Sequence, residues 1–345
     1  MELRPSEEQQ QLIDAYATLY AKESSSGRVR AAEPLGFDPN LWSQLVGMGT
    51  VSMAVDEVHG GWGASMLDLA LVAQEHGRAL GSAPLIEMLV ACRLLARVGG
   101  VAAGELLGSA LAGDRLVAVA LRPPRGGVAR LVPAGAIATD LVVLHDRDLV
   151  AVPVGDDRVV PENVGSMPLA DIPLSGSAMA AAVTLSRGED ASAAVDAALD
   201  DWLVLTANAL AGIARRSVQI GVEYAKDREA FGQKIGGFQA VGHRLADCAT
   251  SAAGAELLAR EAAWAASEEP DRFAELAAMA FAFAAETARD ASDAALHFHG
   301  GYGFMLEYDI QLYYRRARAW ANVVMSPAAA CQRVADRRYG PRGAP

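Results

Sequence analysis

Along the first third of the chain, apolar positions recur at helical spacing. From Ser6 to about Lys22 they fall at Leu12, Ile13, Tyr16, Leu19 and Tyr20, behind Pro5 and Ser6 as start signals, and the spacing predicts an amphipathic helix. The same periodicity predicts helices near residues 38–48, 65–80 and 84–98, while VDEVHGGWGAS at 55–65 is too glycine-rich to be anything but a loop. From Arg115 the pattern changes to short β-branched runs, RLVAVALRPP, DLVVLHD, DLVAVPV and DRVV, separated by Pro, Gly and Asp. These read as strands joined by tight turns. The stretch ends near Leu185, and its roughly 70 residues hold at most a small barrel or sandwich. From Ala191 an alanine-rich helical pattern returns near 191–227, 237–268, 271–298 and 307–322, broken at FGQKIGG, EEPD and HGGYG. Four or more helices joined by short turns predict an antiparallel bundle. The fold class is thus α+β and mainly α, with a helical N-terminal domain over 1–113, a small middle β domain over 114–188 and a C-terminal four-helix bundle over 189–345. No internal repeat is visible, and the only tail of biased composition is GPRGAP.

Composition narrows the partners. A chain of 345 residues, 52% hydrophobic, is long enough for a substantial core and more than one structural unit. A formal charge of −12 argues against nucleic acid, whose phosphates need a basic face. Cys92, Cys248 and Cys331 are scattered and odd in number, which suggests neither a disulfide framework nor a zinc pattern and fits a reducing cytoplasm. The acidic, amphipathic N-terminus does not read as a signal peptide, and apolar runs such as LVACRLLARV are broken by arginines before they reach spanning length. The expectation is a cytoplasmic protein without a membrane span.

Two segments carry the chemistry. In DREAFGQKIGGFQAVGHRLAD (227–247), Arg228 and Phe231 precede Gly232 at a helix end, Gly236 and Gly237 break the chain, and Phe238, Gln239, Val241 and Leu245 start a new helix. An arginine there can neutralise a phosphate with its planar fork, and an aromatic beside it can cover a ring. The spacing equally fits an ordinary helix turn with a surface arginine. In HFHGGYGF (297–304), Gly300, Gly301 and Gly303 permit positive φ and close backbone approach, although a helix-terminating turn has the same composition. His297 and His299 alternate, which does not suit a shared metal, so no metal site is expected. Among carboxylates, Asp200 and Asp201 read as a solvated helix face, and Glu307 and Asp309 as a helix start.

Taken together and in order, these segments resemble the acyl-CoA dehydrogenase family of flavoproteins. The family's Arg-x-x-Phe-Gly turn and Phe-Gln pair match Arg228, Phe231, Gly232, Phe238 and Gln239; its Lys-x-Ile is matched, with altered spacing, by Lys234 and Ile235. Its Gly-Gly-x-Gly-Phe matches Gly300, Gly301, Gly303 and Phe304, followed by Glu307, Tyr308 and Arg315. LVGMGTVSMAVDEVHGGWGAS and DLALVAQEHGRALGSAPL are similar to the family's N-terminal domain. The resemblance implies FAD, a tetramer, an electron transfer flavoprotein as acceptor, and oxidation of an acyl-CoA thioester to its 2,3-enoyl product in fatty acid or sterol catabolism. It also implies that Arg228, Phe231, Gln239, Gly300, Gly301 and Gly303 contact flavin, reaching across a subunit interface to serve a partner's flavin as much as this chain's own.

The chain departs from the family pattern where a base is expected. Counting from Arg315 places the usual glutamate at Val324; counting back from Arg228 places the alternative position, on the first long bundle helix, at Trp202, with Leu203 where an arginine often follows. Asp201 is one residue away, but one helical step rotates a side chain by about 100°. In place of the family's flavin-contacting stretch after the first strand, the chain has LRPPRGGVAR. The reading that follows is a subunit without its own base, which completes a partner's FAD site in a heteromeric enzyme of the sterol side-chain type. The alternatives are a homotetramer with Asp200 or Asp201 as a displaced base, or the same fold put to another flavin reaction or a binding role.

Overall fold

The structure is a computed structural model that describes residues 3–340, so of the terminal GPRGAP stretch only Gly340 lies among the described residues. In chain order the helices are α1 (Glu7–Glu23), α2 (Ser26–Ala31), α3 (Pro39–Gly47), α4 (Met66–Arg78), α5 (Leu85–Val98), α6 (Gly100–Leu111), α7 (Gly176–Ala180), α8 (Gly188–Asp227), α9 (Gln239–Glu268), α10 (Pro270–His299), α11 (Ile310–Trp320) and α12 (Pro327–Tyr339). The strands are β1 (Val117–Ala120), β2 (Val128–Val132), β3 (Asp140–His145), β4 (Asp148–Pro153), β5 (Ala170–Pro173), β6 (Val183–Arg187), and the two-residue β7 (Glu229–Ala230) and β8 (Gln233–Lys234). The mainly helical α+β class expected from the sequence is the one observed. By proximity the chain groups into two compact units: one contains the chain up to Gly27, Ala70–Gly81 and Leu203 onward; the other contains Arg28–Leu69 and Ser82–Trp202.

The first unit is helical. Ser6 starts α1 through a reciprocal capping box with Gln9, in which each side chain accepts from the other residue's backbone N–H, at 3.2 and 3.1 Å. Its bundle packs α9 against α10, and α10 in turn against α11 and α12. The facing positions are alanines, including Ala255, Ala259 and Ala262 on α9 and Ala277, Ala280, Ala284 and Ala288 on α10, all buried. Small side chains let the helices approach closely at the expense of apolar area per residue, which explains why the alanine pattern is so long. A Cβ at Gly77 would lie 1.9 Å from the Ala209 carbonyl oxygen, and one at Gly212 2.1 Å from that of Gln74. The C-terminal turns of α4 therefore touch α8 backbone to backbone.

In the second unit a four-stranded sheet runs β1-β3-β4-β6, with β1 parallel to β3 and the other pairs antiparallel, beside a β2-β5 antiparallel pair. The core of this region is Ala118, Ala129, Val132, Leu141, Val143, Val150, Val152 and Ile172, drawn from both sheets, which is the small two-sheet packing its length allows. DRVV forms no strand, only a single bridge between Val159 and Asp171. α6 escaped the sequence reading because Gly100, Gly104 and Gly108 depress its intrinsic propensity; burial of Ala103, Leu106, Leu107 and Ala110 overrides that.

By length and composition α8 is long and apolar enough to cross a membrane, and 89% of the qualifying window is buried inside the fold, as in a core helix. This helix also corrects the reading of Asp200 and Asp201 as a solvated face: they are 4% and 0% exposed.

Candidate functional site

Helix α8 ends at Asp227, and the Arg228 N–H closes its last turn by donating to the Tyr224 carbonyl at 2.9 Å. The chain then folds into the β7–β8 hairpin, pairing Glu229 with Lys234 and Ala230 with Gln233 around the two-residue loop Phe231-Gly232. Both loop residues have positive φ, 52° and 80°, the type I′ signature. Gly232 suits that geometry, whereas an aromatic there is strained. Phe231 meets the Phe238 ring edge-on at 6.2 Å but stays 96% exposed, so little packing among the described residues offsets the strain. Ile235 N–H ties the hairpin back to the Arg228 carbonyl at 2.9 Å, and α9 begins at Gln239.

The glycine-rich loop at Gly300–Phe304 is held against this turn by a chain of rings. Tyr224 stacks on His299 with centroids 3.8 Å apart, His299 meets Tyr308 edge-on at 5.9 Å, and Tyr308 meets Tyr302 at 5.9 Å. Arg228 lies 6.0 Å from the Tyr302 ring centroid. The two motifs, some 70 residues apart in sequence, thus form one surface. His299 is buried and its Nδ1–H donates to the Ala295 carbonyl at 2.7 Å; burial lowers its pKa, and that contact partly offsets the shift. His297 is exposed, so the two imidazoles face different surroundings.

The three glycines do different things. Gly303 is required by packing, since a Cβ there would lie 2.7 Å from the Leu296 carbonyl oxygen. Gly300 is required by its φ of 61°, with open space around it. Gly301 has neither a positive φ nor, among the described residues, a neighbouring atom within 4 Å of where a Cβ would stand, so nothing among those residues demands a glycine. Around them Tyr302, Phe304, Met305 and Leu306 are 48%, 59%, 45% and 72% exposed.

The expected base positions are apolar and inside. Val324 is 7% exposed in the turn between α11 and α12, beside buried Val323, and Ser326 caps α12 by accepting from the Ala329 N–H. Trp202 and Leu203 are buried on α8. Asp201 lies in an arginine clamp that the sequence reading missed: Arg93 Nε and Arg97 Nη2, one helical turn apart on α5, both donate to its Oδ2, at 2.9 and 2.5 Å. Arg93 also reaches the Ala54 carbonyl at 3.4 Å, while Asp201 Oδ1 is buried without a hydrogen-bond partner. The signal was present in LVACRLLARV, where two arginines four apart interrupt an otherwise apolar helix.

Residues 6–103 match the N-terminal domain of acyl-CoA dehydrogenases and residues 192–321 their C-terminal domain. The chain is 32% identical over 332 residues to acyl-CoA dehydrogenase IpdE2 of Mycolicibacterium smegmatis, covering 95% of this chain and 98% of that one. It belongs to the acyl-CoA dehydrogenase family. The IpdE2 protein of Mycobacterium tuberculosis is 30% identical over 342 residues, covering 96% and 98% of the two chains. Among solved structures, the ChsE4-ChsE5 complex of Mycobacterium tuberculosis has a TM-score of 0.85 at 26% identity, covering 99% of this chain and 100% of that one. The Tcur3481-Tcur3483 steroid ACAD G363A variant has a TM-score of 0.82 at 26% identity, covering 96% and 98%. Other acyl-CoA dehydrogenase structures below 25% identity share the fold, and in that family setting the chain is an oxidoreductase homologue acting on CH–CH bonds.

Proposed function

We propose that this chain is the subunit of a heteromeric, FAD-dependent acyl-CoA dehydrogenase that lacks its own base and completes the flavin site of a partner subunit. The observation that carries the reading is selective: the Arg228 turn and the Gly300–Gly301 loop are held together and open to the outside, while Val324 and Trp202 occupy both positions where the family's base is expected. A strained, exposed Phe231 and a glycine at 301 that nothing among the described residues demands both fit close approach by something outside the chain. Paired structural relatives, ChsE4-ChsE5 and Tcur3481-Tcur3483, support a two-chain assembly.

The residues present fit FAD at that surface. Arg228 would neutralise phosphate, Phe231 would cover a ring, Gln239 would supply an amide, and Gly300 and Gly301 would admit the cofactor to the backbone, with Gly303 shaping the loop. Bound FAD supplies a hydride acceptor for the substrate's β-hydrogen, with an electron transfer flavoprotein as the onward acceptor. Removal of the α-proton of the thioester needs a carboxylate, and in this reading the partner provides it. Asp201 serves structure here, because its buried Oδ2 already takes two guanidinium donors. The steroid description of one relative makes steroid-derived acyl-CoA thioesters the first substrates to test, in a cytoplasmic setting.

The test is expression of the chain alone and together with candidate partner subunits carrying an intact base, followed by flavin absorbance and acyl-CoA oxidation with an artificial acceptor. Flavin retention and turnover are expected only in the co-expressed complex. Full occupancy and turnover by the chain alone would overturn the reading in favour of a homotetramer.

A further inference from the structure

The stretch LRPPRGGVAR builds a feature of its own within the second unit. Arg125 and Val128 exchange backbone hydrogen bonds at 3.0 and 3.2 Å around Gly126 and Gly127, whose φ values of 59° and 70° make another type I′ loop. This hairpin sets Arg122, Arg125 and Arg130 around a cavity of about 550 Å³, together with Pro123, Leu131 and Asp171. Three guanidiniums thus meet one carboxylate, in a chain whose net charge is −12. Asp171 is already engaged: its Oδ1 accepts from the Leu131 N–H at 2.7 Å and its Oδ2 lies 3.5 Å from Arg130 Nη1. Arg122 is half-buried and donates to the Arg130 carbonyl at 3.0 Å, which fixes its direction. Its pKa is lowered, first by burial and then by Arg125, with Asp171 offsetting in part. Among the described residues Arg125 makes no hydrogen bond or ion pair through its guanidinium.

Three arginines share the one Asp171 carboxylate, so the cluster carries an excess of positive charge. A single carboxylate ligand would satisfy one fork, whereas a diphosphate or bisphosphate presents enough oxygens for several, and the cavity is the size of a nucleotide head group. We propose that Arg122, Arg125 and Arg130 form a phosphoryl-binding site for a ligand of nucleotide size carrying two phosphates. The adenosine 3′,5′-bisphosphate end of a CoA thioester and the diphosphate of a flavin dinucleotide share this chemistry. The site rests on this chain's own residues and does not depend on which subunit holds the base.

Calorimetric titration of the purified full-length protein with inorganic pyrophosphate, adenosine 3′,5′-bisphosphate and ADP, at low and high salt, tests it. Binding that weakens with salt is expected, and Arg125→Gln should weaken it about tenfold or more with an unchanged melting temperature. Arg289→Gln, at an exposed arginine paired with its neighbour Asp290, should leave it unaltered. Tighter binding of the 3′,5′-bisphosphate than of ADP assigns the CoA end, which alone carries a 3′-phosphate; tighter binding of ADP assigns the 5′-diphosphate that CoA and the flavin dinucleotide share, and equal binding a site that reads phosphate alone. Should Arg122→Gln fail to fold through loss of its contact to Arg130, Arg125→Gln decides alone. No binding of any of these probes at low salt, or equal affinity in the Arg125 variant, overturns the proposal.

Discussion

Replacing Asp201 by Asn separates a structural carboxylate from a displaced base. The carboxylate is fully buried, and its two arginine partners on α5 keep only 22% and 33% of their side-chain surface exposed. Neutralising it leaves two partly dehydrated guanidiniums facing an amide that offers one acceptor. Breaking a fully buried pair costs about 3–5 kcal/mol, and the residual hydration of the arginines reduces this to about 2–4 kcal/mol. For a unit of this size that corresponds to a fall in melting temperature of about 5–15 °C. Scanning calorimetry of Asp201→Asn reads the loss directly. Adding Arg93→Met and Arg97→Met should recover much of it, since a buried ionic set exchanged for apolar side chains of similar length is often neutral. Turnover of the assembled enzyme, assayed well below the transition, should survive in both variants. An unchanged melting temperature combined with abolished turnover would refute the structural role and make Asp201 the base.

Other perturbations probe separate parts of the molecule. His76 is buried against Tyr20 Oη at 2.9 Å and burial pulls its pKa from 6.5 down to about 3. The unfolded chain therefore binds a proton that the folded one excludes, so this stability is full above about 6.5 and is lost as pH falls toward 3; urea midpoints should drop through that window in the wild type and much less in His76→Asn. Gly77→Ala should cost about 1–3 kcal/mol or more by urea denaturation, because the new methyl meets the Ala209 carbonyl, whereas Gly108→Ala, in open helix interior, should stabilise by about 0.5–1 kcal/mol. Phe231→Gly should raise the stability of the lone chain by about 1 kcal/mol as it relieves the left-handed backbone, yet reduce flavin retention in the complex, as should Arg228→Ala; a parallel loss of stability would count against the outward-facing role.

The long elements were legible because their periodicity and end signals agree: the Pro5-Ser6 start of α1 and the glycine break that closes α10 both stand where the sequence placed them. α12 was missed although Ser326-Pro327 is a sound start signal, because its small Ala-Ala-Ala-Cys start gives way from Gln332 to mostly polar residues without an apolar stripe. Strand β2 was hidden inside VARLV, whose Arg130 and Leu131 face out around a register shift. The meeting of Arg228 with Tyr302 depends on a tertiary contact that no local pattern encodes, and so does the clamp on Asp201. Isolated charges on a helix look solvated until the facing element is known. Conversely, the lack of a proton acceptor at Val324 and Trp202 needed no tertiary information, since neither side chain has one wherever it sits.

Whether this chain itself removes the α-proton is open to direct measurement. The chain, supplemented with FAD, is mixed anaerobically with an acyl-CoA thioester already shown to bleach the flavin of the assembled complex, while flavin absorbance is followed. Rapid bleaching is expected in the complex and none with the lone chain. Bleaching by the lone chain with that same thioester would contradict a subunit without a base.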